Sequence, residues 1–145
     1  MKVDRAAIER MVPHAGSMCL VDAVIGWDAS QIECRSDEPG TLHPLARGGV
    51  VPAIAAAEYA AQATAVHGAL LDEANEPRAG VLAKLSDVHL HAANFPRGCG
   101  ALAIHAQVLG RSEAGCLYSF DVASASAPIA SGRLMVAFAA PGAAP

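Results

Sequence analysis

The feature that most constrains the fold of this chain is an alanine-rich apolar segment that covers residues 51–71. Alanine favours helix, and Pro52 stands where a proline is tolerated, at the first turn, so the segment predicts a helix over 52–71. Its length would suffice to cross a bilayer, but Glu58, Gln62 and His67 would each be expensive in lipid. Because the helix is apolar nearly all round, it must be covered on most sides, and in a small domain only a curled sheet can do that.

The rest of the chain supplies the strands of such a sheet. A short helix over 5–11, capped by Asp4 and ended by Pro13, precedes a β-hairpin of 18–27 and 31–35 that turns at 28–30. An ordered loop over 36–51 leads to the central helix, and a polar loop over 72–80 leaves it. Four β-like stretches follow at 81–92, 101–110, 116–125 and 129–140. We therefore expect an α+β fold: a single domain over 1–140 with an antiparallel sheet around one long central helix, then a flexible tail over 141–145.

Composition excludes several functional classes. Ten basic residues against fourteen acidic ones give a formal net charge of -4, which is unfavourable for binding nucleic acid or an anionic membrane. The first residues include acidic side chains and a proline where a signal peptide needs an apolar run, so we expect a cytoplasmic protein without a membrane span. The four cysteines are far apart and form no C-x-x-C pair, which predicts buried reduced thiols.

Glu58 is the first candidate for chemistry, because it is a lone carboxyl on a helix expected to be buried. Burial of an unpaired carboxylate favours its protonated form, which is the state of a general acid. Gln62 lies one turn later on the same face, where its amide can bond the Glu58 carboxyl or bind substrate. A structural role is equally compatible with the sequence, with Glu58 anchored by His67, by Arg133 or by a backbone amide.

His43 lies in the loop that leads into the same helix and is the second candidate. An imidazole with an ordinary pKa near 6.5 complements a protonated carboxyl as the base of an acid/base pair. The helix N-terminus around Ala53 and Ile54 offers amides that suit an oxygen gaining negative charge. A lone loop histidine is also commonly a solvated residue without function.

These residues lie in a motif, HPLARGGVVPAIAAAEYAAQA over 43–63, that resembles the loop and central helix of 3-hydroxyacyl-acyl carrier protein dehydratases of the FabZ/FabA type. Residues 12–24 (VPHAGSMCLVDAV) resemble the opening of those enzymes, and 132–138 (GRLMVAF) resemble their last strand. The similarity covers about residues 8 to 138. The segments PHAGSM, AEYAAQ and AVHGAL are most similar to the ApeP-like branch of aryl polyene pathways.

The resemblance implies a hotdog fold and a dimer whose acyl tunnel places the histidine of one subunit opposite the glutamate of the other. Carried over by position, it implies that His43 is the base and Glu58 the acid. The Ala53 amide would hold the thioester carbonyl beside Pro52, and Gln62 would support Glu58. It implies no metal and no organic cofactor. The expected partners are an acyl carrier protein with its phosphopantetheine-linked chain and a second hotdog subunit, either identical or a paralogue.

Two departures from the family pattern keep other functions open. One extra residue separates His43 from Pro52, and alanine at position 53 replaces the family's glycine. A non-catalytic hotdog subunit that pairs with an active dehydratase paralogue is therefore an alternative, and an acyl thioesterase on the same fold is another.

Two further groups of residues have simpler interpretations. Asp87, His89 and His91 alternate, so on a regular strand they would share a face and imitate a metal site. Side chains facing solvent on a half-exposed sheet are the more economical explanation. Surface arginines at 47, 97, 111 and 133 could include a docking patch for an acidic carrier protein, but arginine is common at surfaces.

Overall fold

The computed structural model describes residues 3–11, 18–72 and 80–138. In chain order its elements are α1 (Arg5–Met11), β1 (Ala23–Trp27), β2 (Gln31–Ser36), a 3₁₀ turn (Ala53–Ala55) that continues into α2 (Ala56–Leu71), β3 (Gly80–Leu90), β4 (Leu102–Arg111), β5 (Gly115–Ser124) and β6 (Pro128–Phe138). The strands form one sheet in the order β1-β2-β4-β5-β6-β3, and all neighbours are antiparallel. The predicted α+β hotdog architecture, a sheet wrapped around one central helix, is confirmed.

Helix α2 forms the centre of the core, as its composition predicts. The buried residues of the helix are Ala56, Ala57, Tyr59, Ala60, Gln62, Ala63, Thr64, Val66, His67 and Ala69. They face the inward side chains of the sheet, which alternate with exposed ones: on β2, for example, Ile32 and Cys34 are buried while Glu33 is exposed. A fully buried side chain of the size of Ile32 contributes about 1.5–3 kcal/mol. Within the described ranges no helix is both long and apolar enough to cross a membrane.

The N-terminal part of the fold agrees with the prediction for α1 and differs at β1. Asp4 caps α1 by accepting the amide of Ala7 at 2.9 Å, and Ile8 packs into the core. The predicted end of this helix at Pro13 lies outside the described residues. Strand β1 begins at Ala23 and not at residue 18. The reason is that the backbone at Leu20 bonds to side chains of the helix and of β2 instead of to a neighbouring strand.

The later strands begin and end within a few residues of their predicted positions, but β3 contains irregularities that the sequence did not predict. Its pairing with β6 shifts between Leu82 and Lys84 and again between Ser86 and His89. Asp87, in the second shift, has a φ of 51°. Since a bulge breaks the two-residue alternation, Asp87 and His89 do not follow the regular register assumed for them, and His91 lies beyond the strand. In the described part of the chain, no cluster of three or more His, Cys, Asp or Glu residues could hold a metal ion.

Strand β3 is an edge strand of the sheet, because only β6 pairs with it among the described residues. It is unusually exposed: Val81 is 66% exposed, Leu82 41% and Leu90 47%.

The four cysteines are all buried and none is bonded to another, as predicted. The predicted tail over 141–145 and most of the predicted loop after α2 lie outside the described residues.

Candidate active site

Glu58 lies on the one face of α2 that the sheet does not cover fully, and Gln62 fixes its position. The side-chain amide of Gln62 donates to Glu58 Oε1 at 3.1 Å and to the carbonyl of Met18 at 2.7 Å. Gln62 Oε1 accepts the amide of Leu20 at 2.7 Å. Gln62 is only 2% exposed, so these bonds are shielded from water. The predicted contact between Gln62 and Glu58 is therefore present, and it orients a half-buried carboxyl.

The Glu58 carboxyl borders a cavity of about 120 Å³ that runs along the open face of α2. Small residues on the helix, among them Ala61, Ala65 and Gly68, form its floor, and side chains of β3, β5 and β6 form its wall. Most of the lining is apolar. A carboxyl at one end of an apolar channel can deliver a proton to a reacting group while the rest of the channel holds an acyl chain.

His43 is held against the same helix, on a different face from Glu58. Its Nε2 lies 3.0 Å from the hydroxyl of Tyr59, and its Nδ1 accepts the amide of Leu45 at 3.0 Å. Tyr59 in turn packs against the ring of Phe95. His43 does not line the cavity that Glu58 borders, so one chain does not bring the two predicted catalytic groups into a shared site.

The two hydrogen bonds of His43 define its tautomer. A backbone amide can only donate, so Nδ1 must offer its lone pair to Leu45, and in the neutral ring the proton is on Nε2. Nε2 then donates to the oxygen of Tyr59. Burial also lowers the pKa of His43, which favours the neutral ring. In this arrangement the basic lone pair faces the loop backbone and is not presented to a substrate.

The helix N-terminus is also engaged within the chain. The amide of Ala53, predicted to hold a thioester carbonyl, donates to the carbonyl of Ala93 at 2.9 Å. Ala53 is fully buried, and Pro52 before it pairs with Asn94 in an isolated β-bridge. Ile54, the other predicted donor residue, is 48% exposed. The Ala53 amide is therefore already hydrogen-bonded within the chain.

The extra residue between His43 and Pro52 falls in a loop that contains a tight turn at Gly48 and Gly49. The amide of Arg47 donates to Val50 at 2.7 Å and the amide of Val50 donates back at 3.2 Å. The two glycines have φ angles of 59° and 78°, which other residues adopt only with strain. The Gly-Gly dipeptide is a sequence signal from which this turn could have been predicted.

His67 is not a partner of the Glu58 carboxyl, although the sequence allowed that role. Its Nδ1 lies 2.6 Å from the hydroxyl of Tyr118 and its Nε2 lies 2.7 Å from the carbonyl of Asp28. Arg133, the other proposed partner, forms an ion pair with Asp87 at 3.7 Å. His67 is fully buried and links α2 to the β1–β2 turn and to β5, which is a structural task.

A family model described as ApeP dehydratase matches residues 6–142. The chain belongs to the ApeP-like dehydratase family. The resemblance drawn from the motifs at 12–24 and 43–63 is thereby confirmed. No curated protein sequence is significantly similar to the chain.

Solved structures share the fold. A chain of the dehydratase heterocomplex ApeI:P from Xenorhabdus doucetiae superposes with a TM-score of 0.81 at 22% identity, covering 92% of this chain and 91% of that one. The conserved protein PA5202 from Pseudomonas aeruginosa superposes at 0.62 with 19% identity, covering 90% and 98%. Zebra fish thioesterase superfamily member 2 superposes at 0.61 with 16% identity, covering 92% and 94%. At these identities the likeness shows the fold.

Proposed function

We propose that this chain takes part in the dehydration of 3-hydroxyacyl thioesters carried by an acyl carrier protein, in aryl polyene or fatty acid type biosynthesis. The observation that carries the proposal is Glu58, oriented by Gln62 at one end of a mostly apolar cavity. Family membership supports the reaction class. A cavity of this kind suits an acyl chain whose reacting carbons lie beside the carboxyl.

In the proposed reaction a base removes a proton from C2, next to the thioester carbonyl, and the protonated Glu58 carboxyl donates its proton to the C3 hydroxyl. The C3–O bond breaks, water leaves and a trans-2-enoyl thioester remains. By family resemblance the base is His43. Because His43 and Glu58 do not share a site within one chain, the base that faces Glu58 comes from a second hotdog subunit. That subunit is a copy of this chain or a paralogue.

Exchange of Glu58 for Gln tests the proposal most directly. A positioned general acid contributes about 10²–10⁴-fold to the rate, so Glu58→Gln in the purified assembly should lower turnover of a 3-hydroxyacyl carrier-protein substrate by at least about a hundredfold. Glu33→Gln, which removes an exposed carboxyl on the outer face of β2, is the matched control and should leave turnover unchanged. Near-normal turnover in Glu58→Gln would remove the role assigned to this carboxyl.

A second candidate function has specific support in the His43 and Ala53 contacts. With the lone pair of His43 held by Leu45 and the amide of Ala53 held by Ala93, two of the three predicted catalytic groups are engaged within the chain. Such a chain would act as a non-catalytic subunit that completes the cavity of an active dehydratase paralogue. His43 would then fasten its loop to Tyr59 on α2.

The two candidate functions predict different effects of His43→Gln on the turnover of the assembly that this chain forms with its hotdog paralogue. If His43 is the base, turnover falls by at least about a hundredfold. If His43 only holds its loop against α2, turnover stays within a few-fold of the wild-type value and only the free energy of unfolding decreases. Nitrogen-15 NMR of the His43 ring provides an independent measurement, because the structure predicts an Nε2-protonated neutral tautomer. An Nδ1-protonated ring in the assembly would favour the catalytic assignment.

A further inference from the structure

At the C-terminal end of α2 the cavity is lined by an ion pair that neither the acid nor the base of the proposed reaction uses. Arg111, the last residue of β4, donates through Nη2 to both carboxylate oxygens of Asp72, at 3.0 and 2.9 Å. Both residues line the cavity, and Asp72 is the residue that caps the C-terminal end of α2. Glu58 lies fourteen residues earlier on the same helix, about 21 Å away at 1.5 Å per residue.

Local features bring the Arg111 guanidinium to the floor of the cavity. The ladder between β4 and β5 shifts between Val108 and Gly110, immediately before Arg111, and such a shift changes the direction of the following side chain. On α2, Gly68 has no side chain. A Cβ built there would lie 3.8 Å from Arg111 Nη2, so the guanidinium rests directly over the helix backbone. The Arg111 side chain is 26% exposed, although the residue as a whole is exposed.

The position of the Arg111 side chain is not explained by charge compensation at the end of α2 alone. A cation near a helix C-terminus is favourable by about 0.3–1 kcal/mol, and Arg111 satisfies that requirement and offsets the carboxylate of Asp72. The same electrostatic benefit would be available from a side chain that pointed into solvent. Arg111 instead lines the cavity, and its guanidinium lies over the backbone at Gly68, where it occupies space that an acyl chain would need in order to extend further.

We propose that Arg111 is a specificity-determining residue that closes the far end of the channel and limits the length of the acyl chain. The proposal rests on the function proposed above, because it assigns the cavity to an acyl chain. Asp72 holds the guanidinium in place, and Gly68 provides the space in which it lies. A chain that ends short of Arg111 fits without disturbing the ion pair, whereas a longer chain has to displace it.

The test compares three substitutions in the purified assembly with a series of 3-hydroxyacyl carrier-protein substrates of increasing chain length. Arg111→Ala removes the obstruction, and the longest accepted chain should increase, with kcat/KM for chains beyond the wild-type limit rising at least tenfold. Arg111→Met removes the charge and keeps most of the length of the side chain, so the limit should stay close to that of wild type. Arg133→Ala removes an arginine from another Arg–Asp pair, outside the cavity, and is the matched control.

The comparison of the Ala and Met variants shows whether Arg111 limits chain length, which we call the gate function, or only forms a structural ion pair. Equal losses at every chain length in both variants would show that Arg111 serves stability alone and would overturn the proposal. So would an unchanged limit in Arg111→Ala.

Binding of acyl-pantetheine thioesters without the 3-hydroxyl group, measured calorimetrically over the same lengths, separates this inference from the proposed function. A length limit in binding that moves with Arg111→Ala supports the gate even if the assembly dehydrates nothing. Dehydration without any length limit supports the reaction and rejects the gate.

Discussion

Exchange of Gln62 for Met should destabilise the fold by an amount that follows from the contacts of one side chain. Gln62 accepts the amide of Leu20 and donates to the carbonyl of Met18, both at 2.7 Å, in a site where it is 2% exposed. Methionine has nearly the same length and no comparable hydrogen-bonding group. The substitution therefore keeps the packing and leaves two backbone groups without their partner.

A buried polar group that loses its partner costs about 1–3 kcal/mol. For the buried amide of Leu20 and the part-buried carbonyl of Met18, and allowing for the apolar gain from methionine, we expect a loss of about 2–4 kcal/mol in the free energy of unfolding. Native domains have about 5–15 kcal/mol in total, so this loss is large. It corresponds to a decrease in Tm of about 6–12 °C for a domain of this size.

Urea denaturation at fixed protomer concentration measures the effect, because association with a second subunit also stabilises the fold. Gln107→Met is the matched control: Gln107 is exposed on β4, and its substitution should change stability by less than about 0.5 kcal/mol. If Gln62→Met lost less than about 1 kcal/mol, the segment around Leu20 would not depend on Gln62, and the account of how Glu58 is oriented would fail with it.

Two other predictions concern stability. Burial lowers the pKa of His67, so the unfolded chain takes up a proton near pH 6.5 that the folded chain resists. The free energy of unfolding should therefore fall as the pH drops below about 6.5, and urea titrations at pH 7 and 5 should show a smaller fall in His67→Leu than in wild type. Gly115→Ala should cost about 1–3 kcal/mol because a Cβ there would collide with the carbonyl of Val136, whereas a Cβ at Gly26 meets no atom within 4 Å, so Gly26→Ala should be neutral in the same urea titrations.

The sequence predicted the core of the fold because the relevant signals are local. An alanine-rich run without internal proline favours a helix, and apolar character all round it requires that it be covered, which in a small domain a curled sheet does. Strand boundaries were less accurate where a side chain replaces a strand as the partner of the backbone. Residues 18–22 are β-prone, yet Leu20 bonds to Gln62, which is distant in sequence. The bulge at Asp87 was likewise unpredictable from an alternating pattern.

The contact between Glu58 and Gln62 could be predicted from the sequence, whereas the contacts of His43 and Ala53 could not. The helical spacing of Glu58 and Gln62 guarantees that they meet, since they are one turn apart. The partners of His43 and Ala53 are set by how two loops pack, and neither Leu45 nor Ala93 carries a signal for such a contact. Periodicity gives no information about hydrogen bonds between loops, so the tautomer of His43 and the engagement of the Ala53 amide are visible only in the structure.

The long edge strand β3 has a consequence for how the molecule behaves outside its native assembly. Among the described residues only β6 pairs with this eleven-residue strand, so the backbone groups on its other side can serve as a template for another extended chain. Lys84, exposed next to the first irregularity in the pairing, works against indiscriminate recruitment. An incoming strand has to leave that ammonium in water or pair it with a carboxylate, so few other strands can pair closely with β3. Protein that is produced without its partner subunit should therefore aggregate first at high salt, where the charge of Lys84 is screened, and turbidity measures this.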